Sequence, residues 1–154
     1  MDSYKAINIV RDTLREHLDD PYVLAGGEPR ANFIFTDEPL FQAKFPRIQV
    51  REINNHVEPI SIGPEYMESE HVIIGIIFYV KDGFKVKVDG EVLSNEQLVE
   101  KYKKKIRNVL KTNFLPMHRK GIIYKAVKST PPQYDSENNL HQGTTVIDVW
   151  FFDK

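Results

Sequence analysis

One run constrains this chain more than any other. Residues 72–80, Val-Ile-Ile-Gly-Ile-Ile-Phe-Tyr-Val, are apolar almost without interruption. A stretch of that length can be buried on both faces, so it reads as the middle of a sheet and not its rim. Asp82-Gly83 then supplies a hairpin turn into a strand on which Phe84, Val86 and Val88 alternate with Lys85 and Lys87, and Asp89-Gly90 is a second turn of the same chemistry. Ser94, with Gln97 three residues on, has the spacing of a capping box and opens a long helix. Leu98, Tyr102, Ile106, Val109, Leu110 and Phe114 form its apolar stripe, and Lys101, Lys103, Lys104, Lys105, Arg107 and Lys111 cover most of the rest. This helix covers one face of the sheet. The only other good helix is short, and an uncovered apolar sheet in a small protein points to a partner.

The remaining elements follow from periodicity and breakers. An N-terminal helix is expected from Ser3, whose hydroxyl accepts from first-turn amides, and it stops before Pro21. Tyr4, Ile7, Val10, Leu14 and Leu18 step by three or four and share its inner face. Residues 19–29 are broken by Pro21, Gly26, Gly27 and Pro29, with a short extended piece expected at Tyr22, Val23 and Leu24. Residues 32–35 read as a strand, and Glu38-Pro39 as a break. Ile48 and Val50 alternate with Arg47, Gln49 and Arg51, the pattern of a half-exposed strand with Pro46 at its start. Residues 54–69, which contain Pro59, Gly63 and Pro64, read as a protruding connection in which Ile60, Ser61 and Ile62 pair locally. Pro116 marks the end of the second helix. Two strands follow at 122–128 and 144–152, separated by a long loop, 129–143, with Pro131-Pro132. The expected fold is one α+β domain over residues 1–154, a mainly antiparallel sheet packed by one long helix plus the N-terminal helix.

Composition narrows the function classes. The chain has 154 residues, Lys+Arg 21 against Asp+Glu 22, so nothing pulls it globally toward nucleic acid or an anionic membrane. It has no cysteine, which removes disulfides, thiolate metal sites and cysteine nucleophiles together and fits a reducing compartment. The opening Met1-Asp2-Ser3-Tyr4 starts no basic-then-apolar segment, and no run reaches the ~18 apolar residues of a membrane span. The chain reads as unprocessed, soluble and made in the cytosol, with no membrane partner.

Candidate chemistry is sparse. His17, His56, His71, His118 and His141 contain no i, i+4 pair of the kind that builds a helical zinc site, so no metal is expected. Gly26-Gly27 lacks the downstream glycine and helix of an anion cradle, and no serine sits in a Gly-x-Ser-x-Gly elbow. Neither a cofactor nor a catalytic set is expected. Asp37, Lys44 and Glu52 resemble, in spacing, the carboxylate and lysine set with which restriction-endonuclease-like nucleases hold magnesium and activate water. Proline at Glu38-Pro39 and Phe45-Pro46 interrupts that pattern, and ordinary surface charge explains the same residues. Lys101, Lys104, Lys105, Arg107 and Lys111 mark a basic helix face. It suits a DNA channel or a contact between subunits, while Glu96 and Glu100 beside it also fit a solvated face.

The order of elements over most of the chain resembles the tail-terminator and tail-completion (head-to-tail joining) proteins of long-tailed viruses of bacteria and archaea. The matching segments are the first helix (6–18), Pro46-Arg47-Ile48-Gln49-Val50, the apolar strand 72–80, the helix 98–114, and the final aromatic strand Val146-Ile147-Asp148-Val149-Trp150-Phe151-Phe152. That resemblance implies a structural virion protein and not an enzyme. It implies a homo-oligomeric ring, commonly of six subunits, that caps the tail tube or joins it to the head connector, with DNA passing through. Two other classes stay open, a metal-dependent nuclease and a generic cytosolic interaction module.

Overall fold

The computed structural model describes residues 1–36, 44–62 and 65–151, with side chains outside 55–62, 65–70 and 127. In chain order the elements are helices α1 (Ser3–His17) and α2 (Pro21–Leu24), strands β1 (Ile34–Phe35), β2 (Arg47–Ile62), β3 (Glu65–Lys81), β4 (Lys85–Val88) and β5 (Glu91–Ser94), helices α3 (Asn95–Thr112) and α4 (Phe114–Arg119), and strands β6 (Ile122–Ser129), β7 (Gln133–Asp135) and β8 (Leu140–Phe151). The main sheet runs β1-β2-β3-β8-β6, with β7 also on β8, and β4 and β5 form a separate hairpin. Among the described residues only β1 runs parallel to its neighbour. The result is a single α+β domain with a mainly antiparallel sheet.

β3 sits inside the sheet because both of its edges are paired, to β2 on one side and to β8 on the other. Its even-numbered residues Val72, Ile74, Ile76, Phe78 and Val80 are fully buried, and all face the helices. Ile147 and Val149 of β8 and Ile48 and Val50 of β2 extend the same surface. α1, α3 and α4 share that side. α1 contributes Ala6, Ile7, Val10 and Leu14, and α3 contributes Leu98, Val99, Tyr102, Ile106, Val109 and Leu110. Phe78 and Tyr102 stack with ring centroids 4.7 Å apart, and the Tyr102 hydroxyl donates to the Asp19 carbonyl at 2.8 Å. The Arg15 guanidinium donates to the Ile34 carbonyl at 2.7 and 3.0 Å, which ties α1 to the outermost strand.

The opposite face of the sheet carries no packed element among the described residues. Its side chains, among them Ile73, Ile77, Tyr79, Val146 and Trp150, are half-buried by one another. Ile53 bulges out of β2 between Glu52 and Asn54, is half exposed, and lies over Gly75. An added Cβ at Gly75 would stand 2.7 Å from Ile53 Cδ1, so glycine makes room for that side chain.

The sequence departs from these elements in identifiable places. Residues 54–62 and 65–69, expected as a loop, are strand. β2 and β3 continue through them as one antiparallel ladder from Arg47↔Tyr79 to Ile62↔Glu65, while β8 stops pairing with β3 at His71↔Trp150. The pair therefore runs on as a two-stranded arm, residues 57–62 against 65–70, whose six paired rungs extend ~20 Å past the sheet at the usual rise per residue. The long loop expected at 129–143 contains β7 and the first residues of β8. Tyr22, Val23 and Leu24 form a helical turn with Pro21 at its start and Asp20 as cap, a position where the missing proline amide costs nothing. Asp2, not Ser3, caps α1, accepting from the Lys5 amide at 2.8 Å. Ser94 stands at the α3 N-cap with extended backbone, but its side chain makes no cap bond. Pro116 does not end the helical region. It falls in the first turn of α4, where its ring is tolerated. Tyr4 and Phe114, expected inside, are 58% and 39% exposed.

Candidate functional site

α3 carries two separate basic stripes. Lys101 and Lys105, one turn apart, both reach Asp89 in the β4–β5 turn, at 3.2 and 3.0 Å. The Lys105 ammonium, and then that of Lys101, hold the Asp89 carboxyl below the ordinary carboxylate range. These two cations are thus committed within the chain. Lys104, Arg107 and Lys111, spaced by three and four, form the second stripe, and among the described residues they make no ion pair. Lys103, grouped by sequence with the surface lysines, is buried. Its ammonium donates to Glu100 at 2.9 Å and to the Thr130 carbonyl, and its stem crosses Gly143 of β8.

Gly143 sets where α3 lies. A Cβ there would stand 2.5 Å from Val99 Cγ1, so the first half of the helix sits tight on β8. Further along, the small side chains of Thr145 and Ala126 leave a groove between α3 and β6. Leu110, Tyr124 and Ile147 complete its apolar walls, and Lys104, Arg107 and Lys111 stand at its rim. The Tyr124 hydroxyl donates to the Leu110 carbonyl and pins β6 to the helix. Burial pushes the Tyr124 hydroxyl up to about 12. The Thr145 hydroxyl, at the floor, is buried and makes no hydrogen bond among the described residues. β6 itself pairs only with β8 among the described residues, so the groove opens beside a free strand edge.

On the open face, the His71 Nδ1–H donates to Asp148 at 2.7 Å and the His71 ring stacks on Trp150 at 5.2 Å. Lys125 holds its ammonium 5.4 Å from the Trp150 ring. This cluster fastens β3, β8 and β6 together at the end from which the arm departs. His141 makes a comparable pair with Asp82 at 2.8 Å.

No family model matches the chain, nor does any curated protein sequence. The site rests on geometry. Of the five basic residues singled out from sequence, the fold brings Lys104, Arg107 and Lys111 to one groove and sends Lys101 and Lys105 to Asp89. Of the nuclease-like set only two members fall among the described residues. Asp37 lies outside the described residues, Lys44 places its ammonium 3.3 Å from the Tyr22 hydroxyl, and Glu52 is exposed on β2. Among the described residues no group of three or more His, Asp or Glu is arranged to hold a metal ion. No helix among them is long and apolar enough to cross a membrane.

Proposed function

We propose that this chain is a structural virion protein, not an enzyme. On this reading, copies made in the host cytoplasm assemble into a ring that caps the tail tube of a long-tailed virus or joins it to the head connector. The observation that carries the reading is the β2–β3 arm. A two-stranded ribbon is marginal in water unless something covers it, and among the described residues no third strand of its own chain pairs with it. The open sheet face and the free β6 edge add two more surfaces that a neighbour can cover. A subunit with several distinct unpartnered surfaces suits repeated head-to-tail contact, which closes into a ring when the rotation fits. DNA passing through the ring needs no base-specific site.

Excising the arm tests this. His56 and His71 are partners in the ladder, so residues 57–70 can be replaced by a two-residue Asn-Gly turn without disturbing the sheet. The shortened chain is expected to fold, to lose its ring on electron micrographs of tails, and to leave heads and tails unjoined. Normal joining, with the parent chain monomeric at every concentration by light scattering, would leave a generic interaction module as the better description.

A further inference from the structure

The arm and the groove are chemically complementary. Residues 57–70 contain Glu58, Glu65, Glu68 and Glu70, no lysine or arginine, and the apolar Val57, Ile60, Ile62, Tyr66 and Met67. The groove offers the reverse arrangement, an apolar floor with Lys104, Arg107 and Lys111 at its rim and a strand edge beside it that carries Lys125 and Lys128. The arm does not line the groove of its own chain among the described residues. It leaves the sheet at His71↔Trp150, whereas the groove begins at Tyr124 and Ile147 and runs back over the sheet toward Thr145, away from the arm. We propose that the acidic arm of one copy docks along α3 and β6 in the basic groove of the next, making this the contact that closes the ring.

This rests on the ring reading and deepens it by naming the interface. The arm adds its strand to the free β6 edge, so main-chain bonds hold it, while Glu58 and Glu65, which the register places on one face of the ribbon with Ile60, Ile62 and Met67, meet the Lys104, Arg107 and Lys111 rim and fix its register. Donor and acceptor surfaces differ, so each copy uses both and the contact is head-to-tail.

Charge reversal and cross-linking test it together. Three full-length chains are compared with the parent: K104E/R107E/K111E, E58K/E65K/E68K, and the chain carrying all six changes. Each reversal alone is expected to raise the concentration for half-assembly about tenfold or more, because like charges then face each other, and the six-fold variant to return most of the loss. Far-ultraviolet circular dichroism and melting show whether each variant is folded. Because the chain has no cysteine, Ser61→Cys in the arm and Asn108→Cys at the groove can be joined by a short bismaleimide. The double variant is expected to give a ladder of multimers, and neither single variant to give one. Rings that form unaltered with reversed charges, and without the ladder, overturn the arm–groove contact and leave the ring reading standing. Neither rings nor multimers from the parent chain overturns both. Retention of double-stranded DNA by the parent, lost in K104E/R107E/K111E while its rings persist, makes DNA the occupant and overturns the arm.

Discussion

Ile76 and Ile77 are neighbours in β3, and the sheet separates them. Ile76 points into the layer formed by α1 and α3 and is fully buried, while Ile77 points to the face that no element covers among the described residues and is half-buried. Both faces of the strand are apolar, so composition cannot tell them apart. What distinguishes them is which side the helices reach. An apolar face left uncovered among the described residues is a surface of the kind that another chain can cover.

The largest effect expected from this contrast is at Ile76. Ile76→Ala should cost ~2 to 5 kcal/mol in denaturant unfolding, since it opens a cavity among close-packed neighbours, whereas Ile77→Ala should cost about 1 kcal/mol because less area is lost. Equal costs would mean that the open face is as enclosed as the other.

Two glycines give a second, smaller test. Gly143→Ala drives a Cβ to 2.5 Å from Val99 Cγ1 on the covered side. Val99 is β-branched and stiff, so a loss of ~1 to 3 kcal/mol is expected. Gly75→Ala meets the Ile53 side chain, 2.7 Å from its Cδ1 and 3.2 Å from its Cγ1, and that half-exposed side chain can swing away, while Thr144 Cγ2 at 3.7 Å is in ordinary contact. Relief of glycine's backbone entropy then offsets the contact, and the variant should stay within ~1 kcal/mol of the parent. A Gly75 variant as damaged as the Gly143 variant would show that Ile53 is locked in place.

Titration gives the smallest effect, again confined to the covered side. Burial raises the hydroxyl of Tyr124 to about 12. Burial also raises that of Tyr102, with the charges of Asp19, Asp20 and Asp89 adding to it. A folded-state value above that of the unfolded chain leaves the contribution whole below the unfolded tyrosine value, about pH 10, and removes it as pH rises through the folded value. Melting temperature should therefore fall above about pH 10, and Tyr124→Phe should fall less steeply. A parent and variant with parallel curves would mean that Tyr124 ionises in the folded protein as freely as in the unfolded chain.

Much of the fold is legible in residues 72–80, in the α3 stripe and in the alternation of Ile48 with Val50, because each of those signals is local. The arm is not. Pro59, Gly63 and Pro64 argue for a loop, yet Pro59 is tolerated opposite Glu68 because strands in a two-stranded ribbon each have one side free of a partner. The basic stripe is legible as charge, but its division is not. Lys101 and Lys105 are drawn to Asp89 by the position of the β4–β5 turn, and Lys103 is buried because Gly143, forty residues away, gives its stem room. An isolated glycine in a strand is the one sequence signal that another group approaches closely there. The groove depends on Ala126 and Thr145 standing opposite α3, a tertiary coincidence that no periodicity encodes.

The arm also carries information about time. Among the described residues its backbone is held by a single ladder, β2 to β3, while the body of the same pair is held on both sides by β1 and β8 as well. Local opening there needs far fewer bonds broken than opening of the sheet, so a protease should nick residues 57–70 first and leave the domain intact. If a neighbour's strand edge takes up the free side, that nick slows. The rate of cleavage then becomes a clock for assembly, readable in a crude lysate on a gel, with the chain itself as the only reagent that need be followed.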